Sequence, residues 1–198
     1  MLHVARPGVW GTAALVLSAY LSCAGPVRLS ADARAQAGAE SALREFQIQV
    51  SRYAALRRSL ESTGARTTLT EARGLRFLSA HALAQEIRRA RSDASAGDLF
   101  TPGVAEHFKR TIQAALRNEE MEHVRRMAGE PRAVELSVNQ GYPVGVEGVA
   151  LPACLGRIFP PLPEELEYQF VGRTLVLWDV RAAIVVDYLP GAIPELTE

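Results

Sequence analysis

Along the first two thirds of the chain, apolar residues recur at three- and four-residue steps; near the end the period switches to two. Leu43, Phe46, Val50, Tyr53 and Leu60 form one stripe, with Arg57 filling the gap in the series. The spacing predicts a helix of about five turns, with Glu45, Arg52, Arg58 and Glu61 on the opposite face and Gly64 at its end. Thr68-Leu69-Thr70-Glu71 reads as a capping box, in which each side chain satisfies the other's free backbone N–H. The helix it opens carries Leu75, Leu78, Ala82, Leu83 and Ile87. It ends in Arg88-Arg89-Ala90-Arg91, where positive charge complements the helix dipole. A third helix starts at Thr101-Pro102, with Thr as cap and Pro in the first turn, and runs through Phe108, Ile112, Leu116, Val124 and Met127 to Gly129.

Val134, Leu136 and Val138 then alternate with polar residues, as in a short strand. Residues 140–165 are dense in Gly and Pro and show little period. From Leu166 the alternation is clear: Leu166, Tyr168 and Phe170 share a face, Gly172-Arg173 turns, Thr174 to Val180 is apolar on both faces, Arg181-Ala182 turns, and Ala183 to Leu189 forms the last strand. The expected fold class is α+β. Its N-terminal helical region (41–129, three helices) packs through a connector (140–165) against a three-stranded antiparallel meander (166–189), in one domain spanning 41–198. Three strands need such cover to be stable.

The chain opens differently. Arg6 precedes an apolar run from Val9 to Leu21, followed by Ser22-Cys23-Ala24-Gly25. A basic start, a short apolar segment and small residues are the parts of a secretory signal, here residues 1–24. The run is about 13 residues, short of the roughly 20 a spanning helix needs. Cleavage after Ala37, in Ala35-Gln36-Ala37, satisfies the small-x-small rule but lies far from the apolar run, and two further processing routes stay open. Cleavage after Ala24 follows the small-x-small rule, whereas Tyr20-Leu21-Ser22-Cys23 resembles a bacterial lipobox and makes Cys23 a lipidation candidate. Residues 25–40, small and polar, read as a flexible tether. The expected location is the periplasm or the outer membrane of a Gram-negative envelope, with membrane contact only through an anchor at Cys23.

Hydrophobic residues make up 48% of the chain, enough for a packed core, and the formal net charge is zero. That balance excludes a protein built on a basic excess for nucleic acid. Cys23 and Cys154 are the only cysteines. Once Cys23 is removed or acylated, Cys154 is a lone thiol. It is a reactive-thiol candidate set among Leu151, Leu155 and Ile158, where packing is the simpler role. Glu120 and His123 have the E-x-x-H spacing of carboxylate-bridged metal bundles. Such bundles need two of these motifs, so these residues are weak metal candidates on an otherwise solvated helix face. His81 and His107 also lie in helices. Asp179 and Asp187, on neighbouring strands, have the makings of an acid–base pair. The plainer reading pairs them with arginines such as Arg173 and Arg181. Trp178 reads as core with ligand binding as the alternative, and Pro160-Pro161-Leu162-Pro163 as a stiff connector. No cofactor and no catalytic residue is expected.

Two segments resemble a family of exported proteins of Gram-negative bacteria. One is Gly97-Asp98-Leu99-Phe100-Thr101-Pro102, leading into Phe108-Lys109-Arg110. The other runs from Pro160 to Arg173 (PPLPEELEYQFVGR) and on through Leu175-Val176-Leu177-Trp178-Asp179-Val180 to Ile184-Val185-Val186-Asp187. The resemblance implies export and brings no activity and no catalytic residues. The meander alone is similar to the terminal hairpin of periplasmic nickel/cobalt-resistance regulators, though the chain lacks their dense histidine cluster. The function expected is that of a non-enzymatic envelope protein that binds another protein through the meander or the Gly/Pro-rich segment. The alternatives are a periplasmic metal- or stress-response protein and a hydrolase with an unrecognised site.

Overall fold

The computed structural model describes residues 31–67, 75–129, 134–143 and 145–195 of the 198-residue chain. The expected leader with Cys23 and the expected capping box at Thr68 lie outside them. Helix α1 (Ala31–Thr67) has 37 residues, about 55 Å at the usual rise. From Ala31 onward the expected tether is therefore the first turns of a helix. Its alanines, arginines and Gln36 are among the strongest helix formers, and composition alone had hidden this. Gly64 does not end α1, because one glycine costs a helix only about 1 kcal/mol. Phe46, Val50, Tyr53 and Ala54 are its buried stripe, and Arg57 is buried with them.

Helix α2 (Leu75–Ala90) buries Leu83, Ala84 and Ile87; Ala82, expected in the stripe, is exposed. The expected third helix is broken. Helix α3 (Pro102–Ala115) is followed by a 3₁₀ turn (Glu119–Met121) and helix α4 (Glu122–Gly129). Asn118 sits in extended conformation at the break and its side chain accepts from the Glu120 N–H at 2.9 Å. Asparagine competes in this way with helix continuation. Arg125 donates to the Leu116 and Asn118 carbonyls, groups a helix end leaves without partners. After the break Met121 and Val124 are buried again.

The sheet is antiparallel with order β1-β2-β3-β4. The meander is β2 (Leu166–Val171), β3 (Thr174–Asp179) and β4 (Ile184–Leu189). A fourth strand, β1 (Val149–Ala150), pairs Val149 with Phe170 and Ala150 with Gln169. Two residues in a Gly/Pro-rich stretch carry no alternation to read, so the three-stranded expectation fell one short. A short helix, α5 (Ala153–Gly156), follows it. Gly172 turns β2 into β3 with φ +54°, and Ala183 closes the β3–β4 turn with φ +53°. Residues 134–138 are not a strand; they begin a strap, described over residues 134–143 and 145–148, that crosses the sheet without helix or ladder.

The two faces of the sheet are covered differently. Leu166, Tyr168, Phe170, Leu175, Leu177, Ile184 and Leu189 pack with the helices in the main core. Five rings meet there. Phe108 lies 4.5 Å from Phe159, 5.4 Å from Phe46 and 5.9 Å from Tyr168, and Phe100 lies 5.6 Å from Phe46. Val171, Val176 and Val185 point the other way, under Leu136 of the strap.

Candidate functional site

A β-bulge decides where Asp187 points. Leu177 pairs with Asp187 but Trp178 pairs with Val185, so Val186 is an extra residue in β4. An inserted residue resets the alternation. Strict period two would put Asp187 on the face opposite Val186. With the bulge, Asp187 shares the helix face with its partner Leu177. There its carboxylate accepts four backbone N–H groups: Gly97 and Tyr188 at Oδ1, both 2.8 Å, and Leu99 and Phe100 at Oδ2, 2.7 and 2.8 Å. Burial pushes this carboxyl above the ordinary aspartate range, against the downward pull of those N–H groups. The Gly97–Phe100 loop, which aims α3 at the core, is thereby latched to the sheet.

Asp179 does the same for α1. Its Oδ2 accepts from the Tyr53 hydroxyl at 2.8 Å and from Arg57 Nε at 3.0 Å. Its Oδ1 accepts from the N–H groups of Arg181 (3.0 Å) and Ala182 (2.7 Å), closing the β3–β4 turn. Burial, then the neighbouring Asp179 charge, pushes the Tyr53 hydroxyl up, which keeps it a donor. Arg57 reaches Glu61 through Nη1 at 3.0 Å, Arg58 holds Glu165 at 2.8 Å and Arg181 holds Glu61 at 2.7 Å. The expected arginine partners are thus replaced. Arg57, not Arg173 or Arg181, pairs with Asp179 through its side chain, while Arg173 donates to the Ile193 carbonyl and Glu195. The sequence signal for Arg57 was its place inside an apolar stripe.

Asn139 joins α2 to β4 and to the strap. It is buried with φ +62°, in the left-handed region that asparagine tolerates. Its side chain accepts from Arg91 and donates to the Arg91 carbonyl, both at 2.9 Å, and its carbonyl accepts from Arg88. Asn139 N–H donates to the Val185 carbonyl and Val185 N–H to the Gln140 carbonyl, both 2.7 Å. Arg91 also donates to the Val186 carbonyl and lies 5.0 Å over the Tyr53 ring. Two of the arginines expected to serve the helix dipole therefore tie down the strap and close the β4 edge. Backbone groups on an open edge would invite another strand.

The strap face carries the half-buried aromatics. Tyr142 stacks on Trp178 with centroids 4.1 Å apart and planes 21° from parallel, and its hydroxyl donates to Gln169 at 2.7 Å. Burial, then the Glu167 charge, pushes the Tyr142 hydroxyl up. A Cβ at Gly148 would stand 2.2 Å from Gln169 Oε1, so glycine there keeps the clamp open. Trp178, read as core, lies on this second face beside Tyr188 and Val146.

The other candidates are dispersed. Glu120 pairs with Arg157 at 3.3 Å and His123 is exposed. No group of three or more His, Cys, Asp or Glu side chains placed to hold a metal occurs among the described residues. Cys154 is a free thiol buried in the main core on α5. His81 contacts Gln85 on the surface, and burial, then Arg110, lowers the His107 pKa. The Pro160–Pro163 segment is held in place: Tyr168 donates to the Pro160 carbonyl and Gln47 to that of Pro161. No helix among the described residues is long and apolar enough to cross a membrane.

No family model and no curated protein matches the chain. Among solved structures, the C-terminal domain of inner membrane protein CigR from Salmonella enterica is similar. The two are 20% identical, with a TM-score of 0.35, over 50% of this chain and 96% of that one. A likeness of that size carries no functional argument.

Proposed function

We propose that this is an exported envelope protein that acts by binding another protein, and that the strap face of the sheet is its binding surface. The carrying observation is the stacked pair Tyr142–Trp178, half-buried on the face that no described helix covers. Tyrosine and tryptophan supply large, stiff contact area with a polar tip, and they dominate the energetics of protein interfaces. Asp179 and Asp187, the pair with the makings of acid–base chemistry, have both oxygens engaged by hydrogen bonds that hold the fold. Export is supported by the leader at residues 1–24, and intact mass of the envelope-purified protein distinguishes a start at acylated Cys23 from one after Ala24.

A photo-crosslinking residue in place of Glu167, the exposed cross-strand partner of Trp178, tests the surface directly. In the envelope of a Gram-negative host it should yield one discrete protein adduct, whereas the same group at Gln85 on α2 should yield none. Equal labelling from both positions, or none from Glu167, would contradict the proposal.

A further inference from the structure

The ion cluster between α1 and the β3–β4 turn has two loose ends. Arg57 Nη2 and Glu165 Oε2 are both buried and neither has a hydrogen-bond partner. Native proteins rarely leave such groups unpaired, and here one is a donor and the other an acceptor. The two side chains already approach each other: Arg57 Nη1 and Glu165 Oε1 are 3.8 Å apart, beyond hydrogen-bond range. Each is pinned from behind. Arg57 is fixed by Asp179 at Nε and by Glu61 at Nη1. Glu165 is fixed by Arg58 at Oε1, and its backbone carbonyl accepts from Val180 at 3.1 Å.

We propose that this cluster is a binding site for one internal water, which accepts from Arg57 Nη2 and donates to Glu165 Oε2. The bridging molecule must accept from a guanidinium and donate to a carboxylate. A halide cannot donate and an ammonium ion cannot accept, whereas water does both and is the smallest molecule that does. Ordered waters of this kind typically complete buried polar clusters. The side chain of Glu165 is 10% exposed, so the site lies just inside the surface and can exchange its water.

A high-resolution crystal structure of the mature protein should show one solvent peak within hydrogen-bond distance of both atoms. In solution, oxygen-17 relaxation dispersion should count one long-lived water fewer in Glu165→Met than in wild type. Glu165→Gln, which keeps an acceptor and adds a donor, should retain the wild-type count. Direct contact of Nη2 with Oε2, or a dry gap, in the wild-type crystal would overturn the proposal whether or not the variants fold. An unchanged water count in a folded Glu165→Met would also overturn it.

Discussion

On one side of the sheet, Leu175, Leu177 and Ile184 meet a helical layer held by five packed rings and two buried aspartates. On the other, Val171, Val176 and Val185 lie beneath a strap whose main ties are Asn139 and the Tyr142–Gln169 bond. The first face removes nearly every side chain from water and engages both oxygens of each buried aspartate. The second buries its valines and keeps Tyr142, Trp178 and Tyr188 in partial contact with solvent. The contacts that specify the fold thus lie on one side of the four-stranded sheet, and the surface proposed for recognition lies on the other.

Substitutions should separate the two sides by magnitude. Asp179→Ala leaves Arg57 buried without its carboxylate and should cost about 3–5 kcal/mol in chemical denaturation. Phe108→Ala, at the centre of the ring cluster, should cost a similar ~3–5 kcal/mol. Asp187→Asn turns an amide toward N–H donors that need an acceptor. It should lose roughly 1–3 kcal/mol, with the largest shift changes, by amide NMR, at Gly97, Leu99 and Phe100. Tyr142→Phe removes one hydrogen bond from the strap and should cost only about 0.5–1.5 kcal/mol. A strap variant as costly as Asp179→Ala would dissolve the contrast.

The smallest effect expected is on acid stability. Burial pushes the Glu165 carboxyl up, but the hydrogen bond from Arg58 and the charges of Arg58 and Arg57 outweigh it, and the pKa lies below the ordinary glutamate value. A depressed carboxylate stabilises the fold above its unfolded pKa, about 4.3, and that contribution is lost as pH falls through the lower folded value. Melting temperature measured from pH 6 down to pH 3 should therefore fall more steeply in wild type than in Glu165→Gln. Parallel curves would remove Glu165 from the account.

Much of the first face was legible in the sequence. The stripe Phe46–Val50–Tyr53 and the alternation Leu166–Tyr168–Phe170 each report burial of one face, and both pack in the main core. What escaped depends on contacts between distant segments. The bulge at Val186 reverses the direction of Asp187, and no local pattern marks an extra residue in an apolar strand. The break at Asn118 looked like one residue within a continuing stripe. Strand β1 needs Gln169 and Phe170 as partners before its two residues mean anything. Trp178, read as core, does pack on a buried cluster, but on the second face; β3 is apolar on both faces, and periodicity cannot say which of them a helix covers. Arg57 was visible as an anomaly, a charge on an apolar stripe, but its partner Asp179 lies 122 positions away.

Residue-resolved native-state hydrogen exchange tests the division of the sheet most directly. The amides of Leu99 and Phe100, bound to Asp187, should exchange only with global unfolding, together with those inside β3. The amides of Asn139 and Val146 in the strap should open locally at a clearly lower free energy. Strap amides as protected as Leu99 and Phe100 would contradict the account, because both faces would then be equally closed.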